Sequence, residues 1–198
     1  MLFPARNCSI VFVFEERNIE EKPMHARRQV AALPVRQMKN GVVEVLLVTS
    51  RETGRWVIPK GWTSKRLKDF EAAAREAKEE AGVEGRITTR AIGQYRYVKR
   101  ESGHERPIKV AVYLLAVKRQ SKRWPEKRER LRVWFSAAEA AARVDEPELS
   151  RLIHAMSGTP IGEALAGDEV LTTAPSPEAQ GDGDGESGQD GGERKELA

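Results

Sequence analysis

The chain has 198 residues, 39% apolar and 32% charged, which is room for one good-sized soluble domain with polar extensions. A single cysteine, Cys8, rules out an internal disulfide, and no apolar run approaches the ~20 residues of a membrane span. The net charge of +4 is unevenly spread: from Thr159 onward ten acidic residues face two basic ones, so the remainder is strongly basic, which suits nucleic acid, an acidic membrane surface or a small polyanion alike.

Residues 1–24 fit poorly with the rest of the chain. IVFVF at 10–14 is cut short by Glu15-Glu16, which is too brief for a secretory signal. Met24 is the expected native start, residues 1–24 an N-terminal extension, and the expected compartment is the cytoplasm. Gln29–Arg36 predicts a first strand, closed by a turn at Lys39-Asn40-Gly41, and the apolar Val42–Thr49 a buried second one. Trp56-Val57-Ile58 reads as a short strand stopped by Pro59, after which Lys60-Gly61 opens a loop.

Asp69 is the expected N-cap of a helix ended by Gly82 at C′. Phe70, Ala73, Ala74, Ala77 and Ala81 form its apolar stripe. Glu76, Glu79 and Glu80 fall together on the neighbouring face, as positions i, i+3 and i+4 do. Three carboxylates within one turn repel one another unless a cation compensates, and oxygen-only ligands of this kind suit Mg²⁺ or Mn²⁺ with phosphates. The plain alternative is a solvated face carrying Glu71–Arg75 and Arg75–Glu79 pairs.

Beyond the helix, Ile87–Val98 shows an interrupted strand pattern with Gly93 at a bulge, followed by a charged loop at 99–107. Lys109–Val117 is the expected central strand; a basic loop over Lys118–Arg130 leads to a strand at Leu131–Phe135. Ser136 and Glu139 have capping-box spacing for a helix over 136–144, and Pro147 fits N1 of a last helix ending at Met156. The domain is therefore expected over 25–157, with an acidic, Gly-rich disordered tail over 158–198. Strands without regular helix alternation predict an α+β fold with a mixed, mostly antiparallel sheet.

Gly61, Arg75-Glu76, Glu79-Glu80 and Gly82-Val83 are spaced as in the Nudix box, G-x5-E-x7-R-E-U-x-E-E-x-G-U, and the chain over about 27–156 resembles that family. Two positions depart from the pattern, Leu67 for the first Glu and the small Ala77 for the first aliphatic. The resemblance implies an α/β/α sandwich with a loop–helix–loop box and Mg²⁺- or Mn²⁺-dependent hydrolysis of a phosphoanhydride. It implies Glu76, Glu80 and the Lys60 backbone carbonyl as metal ligands. Glu79 follows as general base, or as a further ligand, with Arg75 orienting it.

LLVTSRETGRWVIPKGW at 46–62 and RVWF at 132–135 bring the chain nearest to the diphosphoinositol polyphosphate phosphohydrolases, which also hydrolyse diadenosine polyphosphates. That alignment puts Arg27, Arg28, Thr49, Ser50 and Arg51 in substrate-phosphate regions, and Lys99, Arg100, His104 and Arg106 in a variable basic loop. A multiply phosphorylated small molecule needs many cationic donors, and Arg86–Arg132 carries fifteen basic residues against four acidic. Trp62 and Trp124, beside basic loops, are candidates for stacking on a base, while Trp56 and Trp134 have core-like neighbours. Glu126 and Glu129 are candidate additional metal ligands. The alternatives are hydrolysis of 5′-triphosphorylated RNA and a non-catalytic Nudix-fold binding module; nucleic acid is the less favoured partner, and no oligomeric state is legible.

Overall fold

The computed structural model describes residues 27–101, 103–166 and 170–172. The predicted extension at 1–24 lies outside these residues. Among the described residues nine strands form one mixed sheet: β1 (Arg27–Gln37), β2 (Val43–Thr49), β3 (Trp56–Val57), β4 (Lys60–Trp62), β5 (Val83–Thr88), β6 (Gly93–Glu101), β7 (His104–Gln120), β8 (Arg132–Ser136) and β9 (Val170–Thr172). Its main path runs β3-β2-β1-β7-β5-β9, with β4 on β1, β6 on β7 and β8 on β2. Of these pairings only that of β1 with β7 is parallel.

Period-2 alternation divides the central strands between two cores. Val30, Ala32, Leu46, Val48, Tyr113 and Leu115 pack on one face beneath the alanine stripe of α1 (Asp69–Ala81). Leu33, Val35, Val45, Leu47, Val112 and Leu114 pack on the other against α2 (Ala137–Ala141) and α3 (Pro147–His154). Both faces are covered, which is why β2 and β7 read as unbroken apolar runs. The α+β class and the α/β/α layering are as expected. Pro34, with no N–H to give, falls between the pairing of β1 with β4 at 29–31 and with β2 at 35–37.

Several expected boundaries move. Lys68, not Asp69, is the N-cap of α1, and its N–H donates to Glu71 (2.8 Å). Asp69 accepts from Arg28 instead (3.0 Å). Lys60-Gly61 is strand β4, and the loop begins after it. Ile87–Val98 is two strands, and the bulge falls at Glu84/Gly85 rather than at Gly93.

Residues 99–107 are no loop: β6 and β7 continue as a hairpin, with Arg100 opposite Glu105 and Lys99 opposite Arg106. A ribbon exposed on both faces has no apolar alternation to reveal it. The fold also runs past 157. Leu165, after α4 (Ile161–Ala164), is buried in the core, and β9 pairs with β5. Of the predicted tail, 167–169 and 173–198 lie outside the described residues.

Candidate functional site

One open cavity of about 750 Å³ lies where β4, the box helix α1, the β6–β7 hairpin and the 121–131 loop meet. Four cavity-lining carboxylates stand at its α1 side and rim: Glu52, Glu76, Glu80 and Glu126. Glu76 rests against Gly61, where an added Cβ would overlap its carboxylate, so the box glycine is a space requirement of that side chain. Glu80 is 5% exposed and takes the Lys60 N–H on Oε2 (3.1 Å). Burial pushes its pKa up to about 7, against the pull of the neighbouring Arg130 and Lys60.

Arg130 is the counter-charge. Its side chain is 5% exposed and bridges two acids, with Nη2 on Glu80 and Nε on Glu126, while Nη1 donates to the Thr49 carbonyl (2.9 Å). Arg75 donates to Glu76 (3.0 Å) and lies 3.7 Å from Glu79. Arg51 reaches Glu129 (3.3 Å) and Glu126 (3.7 Å). Lys60 is half-buried, and desolvation holds its ammonium below the usual lysine range.

At the α3 end Arg55 pairs with the buried Glu146 (2.6 Å) and with Asp145 (3.4 Å). Tyr97 closes the wall there, its hydroxyl donating to Gln29 (2.8 Å), with Arg55 and Lys60 each within 6 Å of its ring.

Of the expected site residues, the cavity gathers Glu76, Glu80, Lys60, Arg75, Ser50, Arg51 and Arg100. Other candidates stand apart. Glu79 is outside the cavity wall, 45% exposed on the outer edge of α1. Arg28 is spent on Asp69, and Arg106 is exposed on the hairpin outside the wall. Thr49 anchors the 121–131 loop, its Oγ1 accepting from the Leu131 N–H (3.0 Å), and does not line the cavity.

Arg27 is described only as the first residue of β1. Lys60 also donates its backbone N–H to Glu80, which ties the residue before the box glycine to the helix. Trp62, 40% exposed, lines the cavity, but Trp124 does not: Arg132 lies 3.6 Å over its ring. Trp56 packs edge-on against Phe135, as its apolar neighbours imply.

Arg130, Arg55, Tyr97, Gln29 and Glu146 were not singled out by the sequence. Only Arg130 had a local signal, the i, i+4 spacing from Glu126, and that was hidden in a run of basic residues. Arg55 and Glu146 meet across 91 positions.

Among the described residues no three His, Cys, Asp or Glu side chains form a preformed metal cage. The donor chemistry nevertheless fits a hard divalent cation: Glu76, Glu80 and Glu126 offer only oxygen, and one is buried enough to demand a positive partner. The guanidinium of Arg130 stands in for that charge between Glu80 and Glu126. The arrangement can thus exchange one cation for another without exposing a bare buried carboxylate.

A model of the NUDIX domain matches residues 25–156. Nudix hydrolase 16, mitochondrial, of Arabidopsis thaliana is 36% identical over 110 residues, covering 54% of this chain and 61% of the relative. Diphosphoinositol polyphosphate phosphohydrolase 3-beta of Bos taurus is 35% identical over 100 residues, covering 49% and 57%. The chain thus spans about three fifths of the length of these curated relatives. Among solved structures, a binary complex of C. elegans Ap4A hydrolase shares the fold with a TM-score of 0.51 at 21% identity, over 72% of this chain and 99% of that one. With the family model covering two thirds of the chain, from the start of β1 to the end of α3, the chain belongs to the Nudix family.

Proposed function

We propose that the protein is a pyrophosphohydrolase that cleaves a phosphoanhydride bond in a small polyanionic substrate with the help of Mg²⁺ or Mn²⁺. The observation that carries this reading is one cavity lined by Glu76, Glu80 and Glu126 together with Arg51, Lys60 and Arg75. Glu76, Glu80 and the Lys60 carbonyl would hold the cation, with Glu126 as a further ligand only where Glu79 serves as the base. Such an ion supplies Lewis acidity and neutralises charge developing at phosphorus.

The remaining work falls to the chain. Arg51, Ser50 and the Lys60 ammonium bind non-bridging phosphate oxygens. A carboxylate takes the proton of the attacking water as its oxygen bonds to phosphorus and the bridging P–O bond breaks. Glu79, held by Arg75, is one candidate for that base. Glu126 is the second, favoured by its position on the cavity wall.

Charge favours a dinucleoside polyphosphate over an inositol pyrophosphate. Eight cations line the cavity, but six carboxylates line it too, and Arg51, Arg55, Arg75 and Arg130 are already paired with some of them. A fully phosphorylated ring would need far more uncommitted positive charge. A nucleoside, by contrast, would meet Trp62 and Tyr97 on the wall. The bovine relative's name keeps diphosphoinositol polyphosphate as the second candidate.

Diadenosine polyphosphate, diphosphoinositol polyphosphate and 5′-triphosphorylated RNA, assayed side by side with and without Mg²⁺, test the reading. Metal-dependent cleavage of the first is expected, and failure to cleave any phosphoanhydride refutes it. Glu80→Gln, and whichever of Glu79→Gln and Glu126→Gln removes the base, should lower kcat at least ~100-fold with the fold intact.

A further inference from the structure

The outer face of the 118–128 segment is a basic surface with no role in the cavity. Lys118, Lys122, Arg123 and Arg128 lie on it, and none has an ion-pair partner among the described residues. Glu84, on the neighbouring strand β5, is already neutralised by Lys78 (3.3 Å) and Arg119 (2.9 Å). The inner face of the same loop is firmly seated: Ser121 N–H donates to the Gly82 carbonyl (2.8 Å), and Arg132 ties the Ala81 and Ser121 carbonyls together (2.6 and 2.8 Å). Four exposed cations are thus carried on a segment that is fastened at Ser121 to the C-terminal end of α1.

Strand β9 points at them. It pairs antiparallel with β5, Thr88 opposite Val170 and Arg86 opposite Thr172, so the direction it sets leads past Gly85 and Glu84 toward Val83. Val83 is itself opposite Gln120, one residue before the loop. An extended chain, at ~3.3 Å per residue, needs only three residues after Thr172 to draw level with Val83, and six to span about 20 Å. Glu178 is that sixth residue, and Asp182, Asp184, Glu186 and Asp190 follow before any basic residue. In the sequence a run of acids interleaved with glycine thus begins within reach of that end of β5.

We infer that the basic face of residues 118–128 is the docking surface for the chain's own acidic segment 178–190, which binds there by charge complementarity. The contact lies outside the cavity but on the loop that carries Glu126 and Arg130 into it. It does not depend on the proposed reaction.

The test compares the full chain with a form ending at Thr172, and with a full-length form neutralised in the tail (E178Q, D182N, D184N, E186Q, D190N). Backbone amide spectra are expected to differ at 118–128 between the full chain and both variants. The differences should vanish at ~1 M salt, where the screening length falls to about 3 Å. Carbodiimide cross-linking of the full chain should join Lys118 or Lys122 to a tail carboxylate, and reversing the four cations (K118E, K122E, R123E, R128E) should abolish those links.

Amides at 118–128 that coincide in all three forms overturn the inference, as do differences confined to another surface. A single-stranded RNA oligonucleotide binding this face equally well with and without the tail assigns it to nucleic acid and overturns it too.

Discussion

Removing the guanidinium of Arg130 would take from the buried Glu80 its ion-pair partner, leaving only the Lys60 N–H and the more weakly acting Lys60 charge. Breaking a buried pair by deleting one partner costs about 3–5 kcal/mol. Arg130→Met should therefore lower the unfolding free energy of the metal-free protein by up to that order in urea titrations above about pH 8, where Glu80 is ionised in the unmodified protein. The loss should shrink toward acid pH as Glu80 takes up a proton, and an equal loss at every pH would rule out this explanation. Gly61→Ala acts on the same site differently. The added methyl meets the flexible end of Glu76, so the fold survives while the carboxylate is displaced. Melting temperature should stay within a few degrees while metal affinity, read by calorimetric titration, falls roughly tenfold; unchanged affinity would show that Glu76 holds no ion.

At the level of elements, the site depends on the seam between α1 and the loop that precedes β8. Gly82 ends α1 with φ of 63°, and a Cβ there would come within 2.9 Å of Trp124, so this glycine is required both by its backbone and by the loop. Arg132 closes the seam with two backbone carbonyls while its guanidinium lies on Trp124. Arg132→Met keeps apolar bulk but strands both carbonyls, at about 1–3 kcal/mol. Hydrogen exchange should quicken at 121–131 while the central strands keep their protection, and uniform protection would disconnect Arg132 from the loop.

Much of this element was legible in the sequence. The gap from Gly61 to Glu76 and from Glu80 to Gly82 matches the box spacing, and β2 and β7 announced themselves because both their faces are buried. The hairpin at 99–107 did not, because a solvated ribbon of Lys, Arg and Glu carries no periodic apolar signal. Nor did the links from Arg55 to Glu146 and from Arg130 to Glu80, where a pairing between distant surface-type residues leaves no trace in local spacing.

Across the whole molecule, the buried carboxylate ties stability, pH and metal together. Glu80 titrates near 7 in the folded protein, whereas in the unfolded chain it would titrate near the ordinary glutamate value of 4.5. Between those values the folded state binds more protons than the unfolded state. The contribution of this group to stability is therefore full below the unfolded value and is lost as pH rises through the folded one. A divalent cation reverses the trend, because it binds the ionised carboxylate in the folded state alone and stabilises that state by mass action. Thermal melts with and without Mg²⁺ should then show a small shift at about pH 5 and a clearly larger one at about pH 8, the extra shift being absent in Glu80→Gln. A magnesium shift of the same size at both pH values in the unmodified protein would mean that the ion is held elsewhere, and the assignment of Glu80 as a ligand would fail with it.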